Sequence, residues 1–433
     1  MMLKRYPAAL YLVWVVFLAL LPAPLVWVLD TGLVESTRNL LIYDAGVVAY
    51  TWWLTIVAVS TRPQWLDRLI GLPAMYFVHG MLGVLALVLA TIHVQLSFTM
   101  HDIIRNTGKT AWYLAIFGVG YAALFLSGWF VDRWPLALHM KNRLQFFFKH
   151  QLSVWIHRLN LVVIALIWLH IRVIPRISNV TPFVLMIDGY TILALGIYLW
   201  AKFVAPAAPR RGGQVVENRV VDSRVRQLVI RLGDQARQYR PGDFYFLSFP
   251  HTTGISREAH PFSVTTAPNQ ERTVTFTIQT LGDFTSRLGG VVPGAAVNLE
   301  GPFGRFDTII ANDPPTVPLV LIGMGTGLAP LISLAQRYAD DRPVHLLWTV
   351  RPGEEHIFAA QLTPLLRAHR KVRLDQHVHR FAATDLAALI TPEERTAGRF
   401  VVVGTAPGVV DIEKTLSGLG VARHQMTDER LTM

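Results

Sequence analysis

A membrane all-α bundle of six helices, followed by a small β-barrel domain and an α/β doubly wound domain, is the architecture that this sequence predicts. Three observations carry it. The chain has 433 residues of which 52% are hydrophobic, and these concentrate in the first 205. From Val225 onward, short β-type runs appear between Pro-Gly and Gly-Asp turns. From Pro318 the pattern becomes strand, glycine turn and helix, the alternation of a parallel sheet. The expected domains are residues 1–205, 213–312 and 315–433, with the Pro-, Ala-, Gly- and Arg-rich stretch 205–213 as linker.

Six apolar stretches, near 8–29, 41–60, 72–96, 111–131, 152–174 and 183–204, approach the roughly 20 residues that a helix needs to cross a bilayer. The first follows Lys4 and Arg5 but lacks a clear small-x-small cleavage site, so it reads as an uncleaved span. With the N-terminus inside, the inner flanks carry Lys4, Arg5, Arg62, Arg68, Arg133, Lys141, Arg143, Lys149, Lys202, Arg210 and Arg211. The outer loops carry Arg38, Arg105, Lys109, Arg172 and Arg176. This excess of basic residues favours the N-in orientation and places the C-terminal half in the cytoplasm, in the inner membrane of a cell. The net charge of +11 is spread over these flanks, which argues against a nucleic-acid surface. There are no cysteines, which excludes disulfides, thiolate metal sites and thioether-linked haem.

Ionisable residues inside apolar spans are costly and mark function. The third span holds His79 and His93, the fifth His157 and His170. Fourteen residues at ~1.5 Å rise separate the first pair by ~21 Å and bring them within ~40° of one face. The spacing of 13 in the fifth span gives ~20 Å, so the two levels match, but an ideal helix would leave ~140° between its two side chains. That span is therefore expected to be distorted, or its two ligands to reach around from different sides. His79 pairs with His157 and His93 with His170, giving two bis-imidazole irons one above the other. A single intramembrane histidine serves as readily as a hydrogen-bond partner between helices; four at two matched levels do not. Arg158 is a candidate for a haem propionate. His101, His139 and His150 fall in loops or at span ends and read as structural or solvated.

In the soluble half, His260-Pro261-Phe262-Ser263-Val264-Thr265-Thr266 follows the first barrel strands. The Ser263 hydroxyl and a neighbouring aromatic suit a flavin ring. Leu281-Gly282-Asp283-Phe284-Thr285-Ser286 then forms a turn opening a helix, where backbone amides and Thr285 suit a pyrophosphate. Glu300-Gly301-Pro302-Phe303-Gly304 supplies a tight turn. Gly323-Met324-Gly325-Thr326-Gly327-Leu328-Ala329-Pro330 follows an apolar strand and opens a helix, the context of a phosphate-cradling loop. Arg351, ending the next strand, reads either as an ordinary surface arginine or as a contact for an adenosine phosphate, which would lean towards NADPH over NADH.

These motifs, in this order and with the 14 and 13 histidine spacings, resemble the ferric reductase and NADPH oxidase superfamily over nearly the whole chain. The resemblance implies a six-helix domain with two b-type haems joined to a cytoplasmic ferredoxin-reductase-like module for FAD and NAD(P)H. His79, His93, His157 and His170 match the family's axial ligands. His260 to Thr266 and Gly282 to Thr285 match its FAD contacts, and Gly323, Gly325, Thr326, Gly327 and Pro330 its nucleotide loop. The chain departs from the family twice: Val403 and Thr405 stand where a Cys-Gly-Pro is usual, and Asp428 to Met433 lacks the terminal aromatic that stacks on flavin. The implied activity is electron transfer from NAD(P)H to dioxygen or a ferric chelate across the membrane. Two other readings remain open at this stage: a haem subunit passing electrons to quinone or a partner protein, and a transporter with a nucleotide-sensing half.

Overall fold

The computed structural model describes residues 8–125, 139, 143, 150–204 and 212–431. It divides into two compact units, one of Tyr6–Pro63 with Leu72–Ala205, the other of Met1–Arg5, Gln64–Gly71 and Pro206–Met433.

The first unit is helical. Among the described residues five stretches are long and apolar enough to cross a membrane: Ala8–Gly32, Thr37–Val59, Leu72–Leu96, Leu152–Arg172 and Thr181–Val204. The expected fourth span, 111–131, lies partly outside the described residues; its helix starts earlier, at Asp102, and is followed to Phe125. Also outside are Lys4, Arg5, Arg133, Lys141, Lys149, Arg210, Arg211 and most of the linker.

We label the helices α1 (Ala8–Val15), α2 (Ala23–Gly32), α3 (Thr37–Val59), α4 (Gln64–Ile70), α5 (Leu72–Leu96), α6 (Asp102–Phe125), α7 (His150–His157), α8 (Asn160–Arg172) and α9 (Thr181–Leu199). The first span is interrupted by a π-helical turn, Val16–Leu20, ahead of Pro22 and Pro24, where proline cannot continue the amide ladder. Ser36 caps α3 by accepting from the Asn39 amide at 3.3 Å. Because lipid tails are as apolar as the side chains, polar contacts help to fix which helices meet. Tyr50 meets Thr191 at 3.0 Å, Trp112 donates to Thr91 at 2.9 Å, and Trp168 donates to Asp188 at 2.9 Å, where Arg172 also pairs.

The fifth span breaks at Arg158 and Leu159, between α7 and α8. There the bonds tighten to three-residue steps: Leu159 N to Ile156 O, Leu161 N to Arg158 O and Val162 N to Leu159 O, at 2.9–3.0 Å. This is the distortion that the 13-residue spacing demands.

The second unit contains two sheets. Strands β1 (Gly213–Asp222), β2 (Val225–Leu232), β3 (Phe244–Ser248), β4 (His260–Ser263), β5 (Thr273–Gln279) and β6 (Ala296–Phe303) form one sheet in the order β4-β3-β6-β1-β2-β5. Every pairing in it is antiparallel. A bridge between Val264 and Phe276, with Thr265 N donating to Thr275 O at 2.8 Å, joins the β4 and β5 edges. Inside lie Leu228, Ile230, Leu247, Phe249, Val264 and Phe276. Burying each large apolar side chain there contributes about 1.5–3 kcal/mol.

The other sheet holds β7 (Leu319–Met324), β8 (Val344–Val350), β9 (Val372–Val378), β10 (Arg399–Thr405) and β11 (Met426–Leu431), all parallel, in the order β11-β10-β7-β8-β9. Its central strands are mostly apolar because both faces are covered, with His345 and Thr349 as buried polar residues in β8. The helix α11 (Leu328–Tyr338) covers one face after a short helix α10 (Asp283–Arg287) has closed the antiparallel part. The two sheets are tied together: Gly242 N donates to Ser333 Oγ at 2.8 Å, Ala267 N to Gln336 Oε1 at 2.8 Å, and Arg224 pairs with Glu354 at 2.7 Å.

Helix α4 belongs to this second unit although it lies in sequence between two spans. Arg68 binds both carboxylate oxygens of Asp243 at 2.6 Å and the Gly304 carbonyl, while Asp67 accepts from the Gly304 amide at 2.9 Å. Gln64 bonds to the Gly301 carbonyl. The expected tight turn at Glu300–Gly304 is strand as far as Phe303, because its backbone pairs with β3, and α4 holds this end of β6 at Gly301 and Gly304. Arg68 is thus an ion-pair partner and not simply the topology charge that its position between spans predicts. Asp67 and Asp243 are both 1% exposed. Burial pushes the Asp243 carboxyl up to about 6, against the pull of Arg68. Glu429 on β11 is pushed up to about 8, by removal from water first and then by Asp243 and Asp67.

Removing one partner of a buried ion pair leaves the other uncompensated, so Arg68→Ala is expected to destabilise this unit by about 3 kcal/mol, measured by thermal melting. Glu429 has a folded-state pKa above its unfolded one, so its stabilisation is complete below about 4.5 and is lost as pH rises through about 8. Glu429→Gln stays neutral throughout. Its melting temperature is therefore expected to match wild type near pH 5 and to exceed it by about 2–4 °C at pH 9; a difference independent of pH would refute this assignment.

Candidate functional site

The helical unit brings the four histidines together in two pairs. The His79 and His157 ring centroids lie 5.9 Å apart with planes at 58°, and those of His93 and His170 lie 6.4 Å apart at 86°. A metal between two imidazoles sits about 2.0–2.1 Å from each nitrogen, and each centroid lies about 1 Å further back, so a shared metal needs about 6 Å. Both pairs have that separation.

Hydrogen bonds fix which nitrogen is available. Nδ1 of His79 is 3.1 Å from the Ile56 carbonyl, Nδ1 of His93 is 2.7 Å from that of Ile42, and Nδ1 of His170 is 3.1 Å from that of Ile104. A carbonyl only accepts, so each of these Nδ1 atoms carries the proton and Nε2 keeps its lone pair. Such an outer bond orients a histidine ligand and raises its basicity. His157 differs: Asn160 Nδ2 lies 3.5 Å from its Nδ1 and donates to its carbonyl at 2.8 Å.

Glycines make room for these rings. A methyl on Gly46 would stand 3.0 Å from His93 Nδ1, one on Gly108 would stand 2.9 Å from His170 Cε1, and one on Gly118 would stand 2.7 Å from Asn160 Oδ1. Helix-interior glycine costs about 1 kcal/mol relative to alanine, so these three were visible in the sequence as glycines needing a reason. Arg158, the candidate propionate partner, has its guanidinium 4.8 Å from the Trp155 ring centroid.

In the second unit His260, Phe262 and Phe284 stack: His260 to Phe284 at 4.1 Å and Phe262 to Phe284 at 6.0 Å. The two motifs of the sequence thus meet through their aromatic rings. Pro261 is exposed, and Ser263 and Thr266 are partly exposed at the same strand. Val264 and Thr265 are fully buried, and Thr265 donates to Thr277 at 3.1 Å, so these two side chains belong to the core. Thr285 is also committed locally. Its hydroxyl accepts from the Leu281 and Gly282 amides at 2.9 and 3.0 Å and donates to the Gly282 carbonyl at 3.1 Å. It shapes the turn, leaving Gly282 and Asp283 as its exposed surface.

The glycine loop leaves the C-terminal end of β7 and enters α11, flanked by β8 and β10. Ligands of open α/β sheets bind at this edge. Gly325 has φ 55°, and a methyl on Gly327 would stand 2.7 Å from the Val403 carbonyl. Trp348 donates to the Gly325 carbonyl at 3.0 Å. Thr326 lies in the same loop, whereas Gly323 is buried within β7 and Pro330 inside α11. Arg351 is exposed directly after β8. The positions of the usual Cys-Gly-Pro are occupied by Val403, fully buried in β10, Gly404 and Thr405.

Residues 212–315 match the family model of an FAD-binding domain. The chain is 30% identical over 130 residues to a probable dihydroorotate dehydrogenase B (NAD(+)) electron transfer subunit of Methanothermobacter thermautotrophicus, covering 30% of this chain and 45% of that protein. It is 26% identical over 193 residues to the reductase component of propane 2-monooxygenase of Mycolicibacterium goodii, covering 43% and 48%. It is 33% identical over 125 residues to respiratory burst oxidase homolog protein B of Oryza sativa subsp. japonica, covering 23% and 13%. The chain spans about half the length of the first two of these relatives. Among solved structures, the FAD/NAD-binding domain of a Vibrio cholerae nitric oxide dioxygenase aligns with 51% of this chain and 98% of its own, at 24% identity and TM-score 0.44. A flavohemoglobin of Malassezia yamatoensis aligns with 92% and 99%, at 18% identity and TM-score 0.48. Residues 212–315 are therefore an FAD-binding domain, and the C-terminal half of the chain is similar to reductase and electron-transfer subunits.

Proposed function

We propose that this chain takes hydride from NADPH or NADH onto FAD on the cytoplasmic side and sends electrons singly across the membrane to an external acceptor. His79 with His157 would hold an inner b-type haem, and His93 with His170 an outer one. The observation that carries this reading is the pair of imidazole couples at 5.9 and 6.4 Å, three of whose four rings have Nδ1 against a backbone carbonyl. Bound there, the haems supply one-electron chemistry at two depths.

The chain's own residues bind and orient. The partly exposed rings of His260 and Phe262, backed by Phe284 in the core, and the polar edge at Ser263 and Thr266 suit the flavin. The turn at Gly282 and Asp283 suits its pyrophosphate through backbone amides. Gly323 to Gly327 suit the nicotinamide dinucleotide at the start of α11. Arg351, exposed at the end of β8, suits a 2′-phosphate and so favours NADPH. Dioxygen and ferric chelates are the acceptors that the family resemblance supports.

The test is anaerobic reduction of the purified protein by NADPH and by NADH, followed at flavin and haem wavelengths. Flavin bleaching followed by reduction of two haems is expected. Readmitting dioxygen or ferric chelate then identifies the acceptor by which one reoxidises the haem catalytically. His93→Leu is expected to lower haem content from two per chain to one and to cut electron delivery to the acceptor at least about 100-fold, while flavin reduction continues. A wild-type spectrum without haem bands would sink the proposal.

A further inference from the structure

Among the described residues three non-glycine positions have positive φ, and one of them, Arg62 at 54°, lies beside an imidazole pair. It follows α3, with its amide bonded to the Val59 carbonyl at 3.0 Å, and Pro63 comes next. Helices commonly end there on glycine, which takes up a left-handed conformation without steric cost. An arginine in that conformation is strained, and such strain persists where a side chain is needed in a particular place.

The place is a cavity of about 130 Å³, open on one side, lined by Arg62, Ser60, Tyr76, His79 and His157 among others. Both histidines of the inner pair line it together with Arg62. A b-type haem carries two carboxylates at one edge, and an arginine fork binds carboxylate through two parallel hydrogen bonds. Arg158, which sequence proximity to His157 favours for this role, is drawn instead to the face of Trp155, a ring 65% exposed.

Resting on the haem reading above, we infer that Arg62 holds a propionate of the haem between His79 and His157 and raises that haem's reduction potential. A fixed positive charge favours the form with the extra electron. Its loss is expected to disfavour reduction about tenfold, ~59 mV for a one-electron couple.

Redox titration of the purified full-length protein with its cofactors tests this, using haem absorbance in wild type, Arg62→Gly, Arg62→Lys and Arg158→Ala. The inner component is identified as the one missing in His79→Ala or, should that variant not fold, in His157→Ala. Arg62→Gly is expected to lower the inner potential alone and to speed haem loss from that site, with Arg62→Lys in between. Glycine suits the backbone at this position, so Arg62→Gly is also expected to melt no lower than wild type before haem is lost. Unchanged potentials in Arg62→Gly, or a shift in Arg158→Ala instead, would overturn the inference while the haem reading stands. Absence of haem from wild type would overturn both.

Discussion

A hydrogen bond from the Nδ1 proton of a histidine to a helix carbonyl does two things at once in a low-dielectric layer. It satisfies a donor that would otherwise be costly to bury, and it turns the opposite nitrogen, with its lone pair, away from the helix that accepts. His79, His93 and His170 have this arrangement, each with an isoleucine carbonyl of a neighbouring helix. The carbonyl already serves its own helix, but it has a second lone pair to offer. The approach needs room, which Gly46 and Gly108 provide beside His93 and His170. Without these bonds the imidazoles would be free to pair with other polar groups in the bundle, and two facing couples would not be specified.

The same constraint explains the broken fifth span. A regular helix cannot present residues 13 apart on one face. The three-residue steps around Arg158 and Leu159 change the phase between His157 and His170, and Asn160 closes the gap by bonding to the His157 carbonyl. The cost is a local loss of regular hydrogen bonding in an apolar segment. The gain is that both couples lie at ring separations of about 6 Å, the separation that a shared metal needs.

In the flavin-binding unit the corresponding investment is electrostatic. Asp67, Arg68 and Asp243 meet around Gly304 at the end of β6, and Glu429 on the last strand adds another carboxyl whose charge is disfavoured by burial first and then by its acidic neighbours. Buried charges rarely raise stability over an apolar alternative, but they fix geometry because misplacement leaves one unpaired. Here they fix the end of β6, which pairs with β3 beside the strand that bears the candidate flavin contacts.

Much of this was legible in the sequence because it depends on local periodicity. Apolar runs of about 20 residues gave the five described spans, histidine spacing gave two levels and a necessary distortion, and a glycine-rich turn after an apolar strand gave the nucleotide edge of a parallel sheet. The roles that depend on a distant partner were hidden. Thr265 and Val264 sit in a motif that suits flavin, yet strand pairing with β5 turns them into the core. Arg68 has the position of an interfacial charge, yet its partner is 175 residues away. Arg62 and Arg158 look alike in sequence, and only the left-handed turn after α3 and the exposed ring of Trp155 distinguish them. Sequence determined which elements form, because that is set by the next few residues; tertiary structure decided which side chains face a ligand, because that is set by whatever packs on the other side.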